Sequence, residues 1–579
     1  MLNRKIAKIL YEMAVFYEIK DVPFKPRAYK RASFALESSS EDVEEIYKKG
    51  GIGALTKIEG IGKGIASHIE EVIKTGHFKE YERLKKKIPV DVLELMSVEG
   101  IGPKMVGVLW EELKIKDLAG LKKAAEAGKI SKLKHFGARS EKNILRGIEF
   151  LKKSGGRRIL GHVYHEILEI EKAIKNIPEV LKFEIAGSVR RMKETVGDLD
   201  LLVISNEPVR VMEKFAKIPQ VSEVFGGGPT KMNVKLTNGM DADLRVVPGG
   251  SFGAALNYFT GSKDHNIALR EIAIKKGYKL NEYGLFKKDR SQKWKMIAGS
   301  SEEDIYRALG LVYIEPELRE KTGEIEAAKN KKLPKLVGYG DLKGDLQIQT
   351  DWTDGKNSIE EMAFAARDAG LEYIVITDHT KSLAMTGGSD EKKLTRQMEA
   401  IDKINKKFKK KGHKIKILKG AEVNIMKDGT LDINDETLKK LDVVGAAAHS
   451  YFDLPRDEQT KRIIRAMENP NVDIIFHPTG RVINRREAMD IDMDKIISAA
   501  RRTKTILEID AYPDRLDLHD GYVRKCVDAR VKMCIDTDAH SADHFKFLKF
   551  GIAQARRGWA TKNDIINAWP LEKMLNFLK

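Results

Sequence analysis

Two stretches of the chain alternate between apolar and polar positions with a period of two. One reads Asp198-Leu199-Asp200 and runs on into Leu201-Leu202-Val203-Ile204; the other reads Asp241-Ala242-Asp243-Leu244-Arg245-Val246-Val247. That period belongs to a β-strand, on which alternate side chains share a face. Asp198 and Asp200 therefore project together while Leu199 packs inward, and Asp243 projects from a second strand. Residues 1–155 show short helical stretches opened by glycines. Ile65 to Ile73 follows Gly60-Ile61-Gly62-Lys63-Gly64, and Met105 to Trp110 follows Gly100-Ile101-Gly102-Pro103-Lys104. A weaker third copy, Lys134-His135-Phe136-Gly137-Ala138-Arg139-Ser140, enters Ile144-Leu145. Residues 156–316 alternate strands and helices. Beyond residue 340 apolar runs recur with helical segments between them, and each run ends in a polar side chain.

The first pattern carries chemistry. Two carboxylates on one strand face repel unless a cation lies between them, and an all-oxygen, aspartate-rich site suits Mg²⁺. Three aspartates from two strands can hold two such ions, an arrangement able to activate a hydroxyl and neutralise a leaving pyrophosphate. Gly187-Ser188 closes an apolar strand just upstream. Its turn offers N–H groups and a hydroxyl to a triphosphate, and Arg190 and Arg191 add positive charge. In the N-terminal third, each Gly-x-Gly turn presents N–H groups at a helix start, which suits a phosphate and fixes position on a backbone without reading sequence.

Bulk properties narrow the class. A chain of 579 residues exceeds what one hydrophobic core supports, so several domains are expected. The net charge of +18 favours a polyanionic partner. No apolar run approaches the roughly 18 residues of a membrane span, and Met1-Leu2-Asn3-Arg4-Lys5 lacks the apolar stretch of a signal peptide. Cys526 and Cys534 build neither a disulfide framework nor a zinc motif, so a reducing cytoplasm is expected. The C-terminal rhythm supplies a second set of candidate ligands. Runs end at Asp378-His379, Glu422, His449, His477, Glu508, and Asp538 with His540. Polar residues at successive strand ends, with helices between, argue for a barrel with a site at that face. His, Asp and Glu in this mixture suit Mn²⁺ or Zn²⁺.

Gly187-Ser188 with Gly197-Asp198-Leu199-Asp200, followed by Tyr258-Phe259-Thr260-Gly261-Ser262, Asn266, Arg270 and Asn281-Glu282-Tyr283-Gly284, resembles the catalytic core of family X DNA polymerases, the polymerase beta-like nucleotidyltransferases. The glycine-opened helices resemble helix-hairpin-helix elements, and the C-terminal rhythm resembles a PHP domain. The resemblance implies a multidomain α/β chain: a helical DNA-binding domain over 1–85, a second helix-hairpin-helix domain over 86–155, an α+β nucleotidyltransferase palm over 156–245, a nucleotide-selection subdomain over 246–316, a linker over 317–340, and a distorted (β/α) PHP barrel over 341–579. It implies Mg²⁺ on Asp198, Asp200 and Asp243, with Asp243 helping to deprotonate the primer 3′-hydroxyl. Arg158, Gly187, Ser188, Arg191 and Gly197 would contact the triphosphate of a dNTP. Tyr258, Phe259, Thr260 and Gly261 would line the sugar pocket, and Asn266 and Arg270 would face the minor groove of the nascent pair and the template. Gly60, Gly62, Gly100 and Gly102 would sit on DNA phosphates. The implied substrate is gapped or primer–template DNA, copied by a monomer that fills short gaps in repair of the base excision type.

Two departures stand out. Where the family's lyase members carry a Schiff-base lysine, this chain has His68, which cannot form that adduct. Lys63 or Lys30 would have to substitute, while Arg27, Lys30 and Arg31 otherwise suit a phosphate. The first barrel strand should end in His-x-His but reads Gln347-Ile348-Gln349. Asp354, His379, Glu422, His449, His477, Asp538 and His540 remain, so the expectation is a partial metal site with a compromised 3′–5′ exonuclease. Competing readings are a template-independent or ribonucleotide-using transferase, and a DNA-binding scaffold or nuclease with an inert polymerase core. A template-independent enzyme would usually carry a long insertion between palm and sugar-pocket motif, and none is visible.

Overall fold

The two period-two stretches pair with each other. In a computed structural model that describes residues 2–37, 42–58, 60–96, 98, 101–134, 136–153 and 157–578, Asp198–Ile204 and Asp241–Val246 are adjacent parallel strands. Asp198 lies opposite Asp241, and Asp200 opposite Asp243. They occupy the middle of a five-stranded sheet flanked by Lys182–Ile185 on one side and by Lys231–Leu236 and Val221–Gly227 on the other. Leu199, Leu201, Ala242 and Leu244 share a core with helix Leu160–Lys175, so the acidic face points away from that core, toward the side where Leu202 packs on Phe252 and Leu256.

The chain divides into two compact units, residues 1–156 with 484–486, and the remainder. The first is helical. Leu2–Ile19 packs against Lys25–Glu37, and Lys63–Thr75 and Pro103–Leu113 follow the two glycine turns. Their apolar faces, among them Phe16, Ile65, Ile69, Val106 and Leu109, share one core. Gly60 adopts a left-handed φ of 84° at its turn, while Gly62 and Gly102 are the N-caps of the following helices, and no side chain caps them. Gly100 and His135 lie outside the described residues.

In the second unit the sheet is followed by helices Phe252–Thr260 and Lys263–Lys275 and by a three-stranded antiparallel sheet, Tyr278–Asn281, Gly284–Lys288 and Trp294–Ala298. The segment 317–340, expected as a linker, is packed in part. Leu318, Ile325, Ala328 and Leu336 join the core built on Leu269, Ile305 and Tyr306, and Arg319 and Glu324 are fully buried. The Lys/Glu-rich composition concealed this, because apolar residues at helical spacing within it find a partner only in the fold.

The C-terminal part forms a seven-stranded parallel sheet in simple sequential order: Gly344–Asp345, Tyr373–Ile376, Lys416–Asn424, Val443–Ala447, Ile474–Ile475, Ile506–Asp510 and Met533–Asp536. A parallel bridge between Ile348 and Ala539 nearly closes it into a barrel. Barrel and palm pack directly. Phe550 and Leu516 belong to the palm core, Tyr164 meets the Phe550 ring edge-on at 5.4 Å, and Arg481 Nη2 pairs with Glu194 at 2.7 Å. Among the described residues no helix is long and apolar enough to cross a membrane. Both cysteines are free and buried.

Candidate active site and metal centres

Strand register places the carboxylates. Asp200 and Asp243 face each other across neighbouring strands, with Asp198 two residues before on the same face. Burial and then the charges of Asp198 and Asp243 push the Asp200 carboxyl up to about 7. Acidic groups gathered on one partly buried face raise one another in this way, and the charges of Arg245 and Arg191 offset only part of the effect. The donor set, all oxygen and anionic, fits a hard divalent cation. Asn233, directly opposite Asp243 on the adjoining strand, donates its amide to that carboxylate. Arg245 Nη2 lies 3.7 Å from Asp243 and its guanidinium rests on the Phe259 ring. Asp241 shares the acidic face but is paired with Lys235. No motif marks Asn233; only the cross-strand register brings it to Asp243.

The Gly187-Ser188 turn sits directly over this face. Gly187 has φ 64°, and a Cβ there would stand 2.3 Å from Asp200 Oδ2, so only glycine allows the approach. The next residue's hydroxyl, on Ser188, is buried without a partner. Arg191 donates to Glu320 at 2.8 Å and to the Thr260 carbonyl. That carbonyl immediately precedes Gly261, whose φ is 70°. The Gly187-Ser188 and Tyr258–Gly261 motifs are thus joined through Arg191. Arg190 turns elsewhere: it forms a two-pronged pair with Glu302 at 3.0 and 2.7 Å and also bonds Thr260 Oγ1. Its charge is spent on a buried network with Arg319, which corrects the expectation that it serves the triphosphate alongside Arg191.

Asn266 donates to the Tyr258 carbonyl at 2.6 Å and leaves its own Oδ1 unpartnered. Tyr258 is 36% exposed and meets the Phe259 ring edge-on. Arg270, one helical turn beyond Asn266, is exposed. Gly197 is exposed at the head of the Asp198 strand, and Arg158 lies against the Gly239 turn before the Asp241 strand. In the helical unit His68 is bonded to the Tyr29 hydroxyl at 2.9 Å and packed on Phe78, and burial lowers its pKa. Lys30 pairs with Glu18 at 2.7 Å, and Lys63 is exposed.

The candidate ligands His379, Glu422, His449, His477 and Asp538 lie at or just beyond the C-terminal ends of barrel strands, and Asp354 and His540, on loops after the first and last strands, meet them there. Glu422 is the hub. Its Oε1 lies 3.0 Å from His449 Nε2 and 2.9 Å from His477 Nε2, and its Oε2 lies 3.1 Å from His379 Nδ1. Burial alone would raise the Glu422 carboxyl, but His379 and His449 hold it well below the usual range. Asp354, His379 and His540 form one group of potential ligand atoms, and His379, Glu422 and His449 another. His477 and Asp538 carry φ values of 28° and 49°, backbone strain of the kind found at functional positions. Arg515, unmarked by any motif, lies 3.4 Å from Asp510 and 3.8 Å from Asp538.

The two glutamines settle at this end of the barrel. Gln349 donates its amide to Glu422 Oε2 at 2.8 Å, and Gln347 is fully buried with both amide atoms unpartnered. Neutral amides are weak ligands for Zn²⁺-like ions, and one of them already occupies the hub carboxylate. The remaining His, Asp and Glu side chains fit a transition-metal ion; the first-strand positions do not.

A paired-carboxylate palm beneath a Gly-Ser turn, with helix-hairpin-helix turns before it and a ligand-ringed barrel after it, defines a DNA-handling nucleotidyltransferase with an appended PHP domain. Comparison with known proteins agrees. Residues 1–78 match the helix-hairpin-helix domain family, 92–149 the SAM-like helix-hairpin-helix tandem, 255–320 the DNA polymerase beta thumb, and 345–508 the PHP domain. The chain is 37% identical, over the full length of both proteins, to the DNA polymerase/3′-5′ exonuclease PolX of Bacillus subtilis (strain 168). It is 26% identical to DNA polymerase lambda of Rattus norvegicus, over 55% of this chain and 56% of that protein. A probable phosphatase of Thermoanaerobacter sp. (strain X514) is 32% identical over 38% of this chain and 88% of its own length. The chain belongs to family X of the DNA polymerases, in the form that carries a C-terminal PHP domain. It is a DNA-directed DNA polymerase, and both domain types are metal-dependent.

Proposed function

We propose that this polymerase fills short gaps in DNA during repair of the base excision type, adding deoxynucleotides to a primer 3′ end opposite a template. The observation that carries the reading is the in-register pairing of Asp200 with Asp243, with Asp198 on the same face and, next to Gly187, the unpartnered Ser188 hydroxyl. Asp198, Asp200 and Asp243 would hold two Mg²⁺; bound there, the ions supply the charge that acidifies the primer hydroxyl and stabilises departing pyrophosphate. The chain's own groups bind and orient. Ser188 and Arg191 take triphosphate oxygens, with Arg158 and the Gly187 and Gly197 backbones assisting. Asp243, oriented by Asn233, accepts the 3′-hydroxyl proton at its carboxylate. Tyr258, Phe259, Thr260 and Gly261 leave little room beside C2′, and Asn266 and Arg270 face the nascent pair. Gly60, Gly62, Gly100 and Gly102 hold the DNA backbone, and the enzyme works as a cytoplasmic monomer. A gap of one nucleotide offered with each dNTP in turn tests this. Preference for the complementary base supports it; equal use of all four or none, on any template, would assign the chain to a template-independent or inert class.

The cation requirement has a pH-dependent consequence. The Asp200 carboxyl sits at about 7 in the fold, against about 3.9 in an unfolded chain. The folded state thus keeps a proton that the unfolded state has lost, and without metal, stability falls as pH rises between those values. Mg²⁺ is expected to raise the melting temperature more at about pH 8 than at about pH 5.5. In Asp200→Asn that difference should vanish; its persistence would place the ion elsewhere.

For the barrel we propose a partial Mn²⁺ or Zn²⁺ site on Asp354, His379, Glu422, His449, His477, Asp538 and His540, with weak or absent 3′–5′ exonuclease activity. Gln347→His/Gln349→His is expected to raise the metal bound per chain, measured by elemental analysis. Unchanged metal content, or vigorous wild-type exonuclease abolished by Asp538→Ala, would refute the partial site.

A further inference from the structure

A buried charge network links the barrel to the polymerase face. Glu320 Oε1 accepts from Arg191 Nε at 2.8 Å and from Arg557 Nη1 at 3.2 Å, with Lys193 Nζ 3.8 Å away. Arg557 Nη1 also donates to the backbone carbonyl of Arg191 at 3.3 Å. Its Nη2 is anchored on Asp520, at the start of barrel helix Asp520–Ala529. The Arg557 side chain is only 3% exposed, so this is an enclosed contact rather than a surface pair. Arg191 therefore has Nε and Nη1 committed, to Glu320 and to the Thr260 carbonyl, while Arg557 pins its backbone.

We propose that Arg557, on the barrel helix Leu548–Arg557, is a positioning residue for nucleotide binding. It shares Glu320 and holds the Arg191 carbonyl, so that Arg191 keeps its remaining Nη2 edge for the triphosphate. The proposal rests on reading Arg191 as a triphosphate ligand. Without Arg557, Glu320 is left with Arg191 and Lys193 as its cations and draws Arg191 toward itself. The turn Gly187–Arg190, which carries Ser188, ends at Arg191 and shifts with it. Misplacement of binding groups by about an ångström costs up to about a hundredfold in a preorganised site. The barrel thereby serves the polymerase in a way that needs no metal in its own mouth, and the Gln347 and Gln349 replacements leave this role untouched.

Arg556 provides the control. It sits at the same buried interface, bonding Glu317 at 2.7 Å and the Val337 carbonyl at 3.0 Å, without touching Arg191 or Glu320. Steady-state KM for dNTP, kcat and gapped-DNA affinity should be measured on full-length wild type, Arg557→Met, Arg557→Lys, Arg556→Met and Arg191→Met. Arg557→Met is expected to raise the dNTP KM about tenfold, with kcat and DNA affinity within about twofold. Arg557→Lys should recover part of the loss, and Arg556→Met should leave KM unchanged. A KM within about twofold of wild type in Arg557→Met, or an equal rise in Arg556→Met, overturns the proposal. A normal KM in Arg191→Met shows that the underlying reading of Arg191 has failed; a raised KM there with a normal one in Arg557→Met shows that only the positioning role has. If Arg557→Met does not fold, Asp520→Asn, which releases the far end of the same guanidinium, decides by the same KM criterion.

Discussion

Asp198→Ala is expected to lower gap filling by at least about a thousandfold, equivalent to about 4 kcal/mol of transition-state stabilisation, while making the metal-free protein more resistant to heat. The two effects share a cause. Asp198 stands on the acidic face two residues before Asp200, and after burial its charge is the leading reason that the Asp200 carboxyl is pushed up to about 7. Removing it takes away one of the three anionic groups that would hold two divalent ions. It also relieves the repulsion that the fold bears when those ions are absent. Single-turnover incorporation and a melting curve in chelator at about pH 8 measure both sides. Lost activity with a lowered melting temperature would mean that the residue supports the fold and would remove the argument for a cation there. Retained activity would sink the polymerase reading of this face.

Gly187→Ala is the second large effect, at a position with no side chain of its own. The residue has φ 64°, which costs an L-residue roughly 1–2 kcal/mol. The new Cβ would also stand 2.3 Å from Asp200 Oδ2. Either the turn lifts, carrying Ser188 away from where it would meet a triphosphate, or the Asp200 carboxylate swings away from Asp243. Both displace reacting groups by about an ångström, and incorporation should fall by about a hundredfold or more. The melting temperature should drop by only about 2–4 °C per kcal/mol of strain. Gapped-DNA affinity, measured by anisotropy, should not change, because the helix-hairpin-helix turns lie elsewhere in the chain. Near-normal incorporation would show that the turn does not crowd Asp200 as the structure places it.

Arg190 and Arg191 show where reading the sequence stops. The two are adjacent, equally basic and within three residues of the Gly-Ser turn, and only the family resemblance singles out Arg191. In the fold Arg190 is claimed by Glu302 and Arg191 by Glu320 and the Thr260 carbonyl, all more than sixty residues away along the chain, as the Arg190–Thr260 separation of 70 residues illustrates. The segment 317–340 teaches the same lesson. Its charged composition suits a solvated connector, yet Glu324 is buried because His265 meets it at 2.7 Å.

What the sequence by itself determined is whatever depends on short-range geometry. A period of two puts Asp198 and Asp200 on one strand face, a glycine at the turn permits a left-handed backbone, and polar residues after apolar runs mark the C-terminal ends of barrel strands. Against the His-x-His that the PHP resemblance implies, Gln347 and Gln349 are neutral amides, and that contrast is readable in the sequence. Only the tertiary structure decided the rest: that the two acidic strands are parallel neighbours with Asp200 opposite Asp243, that Asn233 orients that carboxylate, that the Gln349 amide lies on Glu422, and that Arg557 of the barrel reaches the backbone of Arg191. Backbone periodicity encodes which way a side chain points but not what it meets. The partner of a buried charge is chosen by desolvation, which forces it to find an opposite charge or a hydrogen bond wherever the fold supplies one.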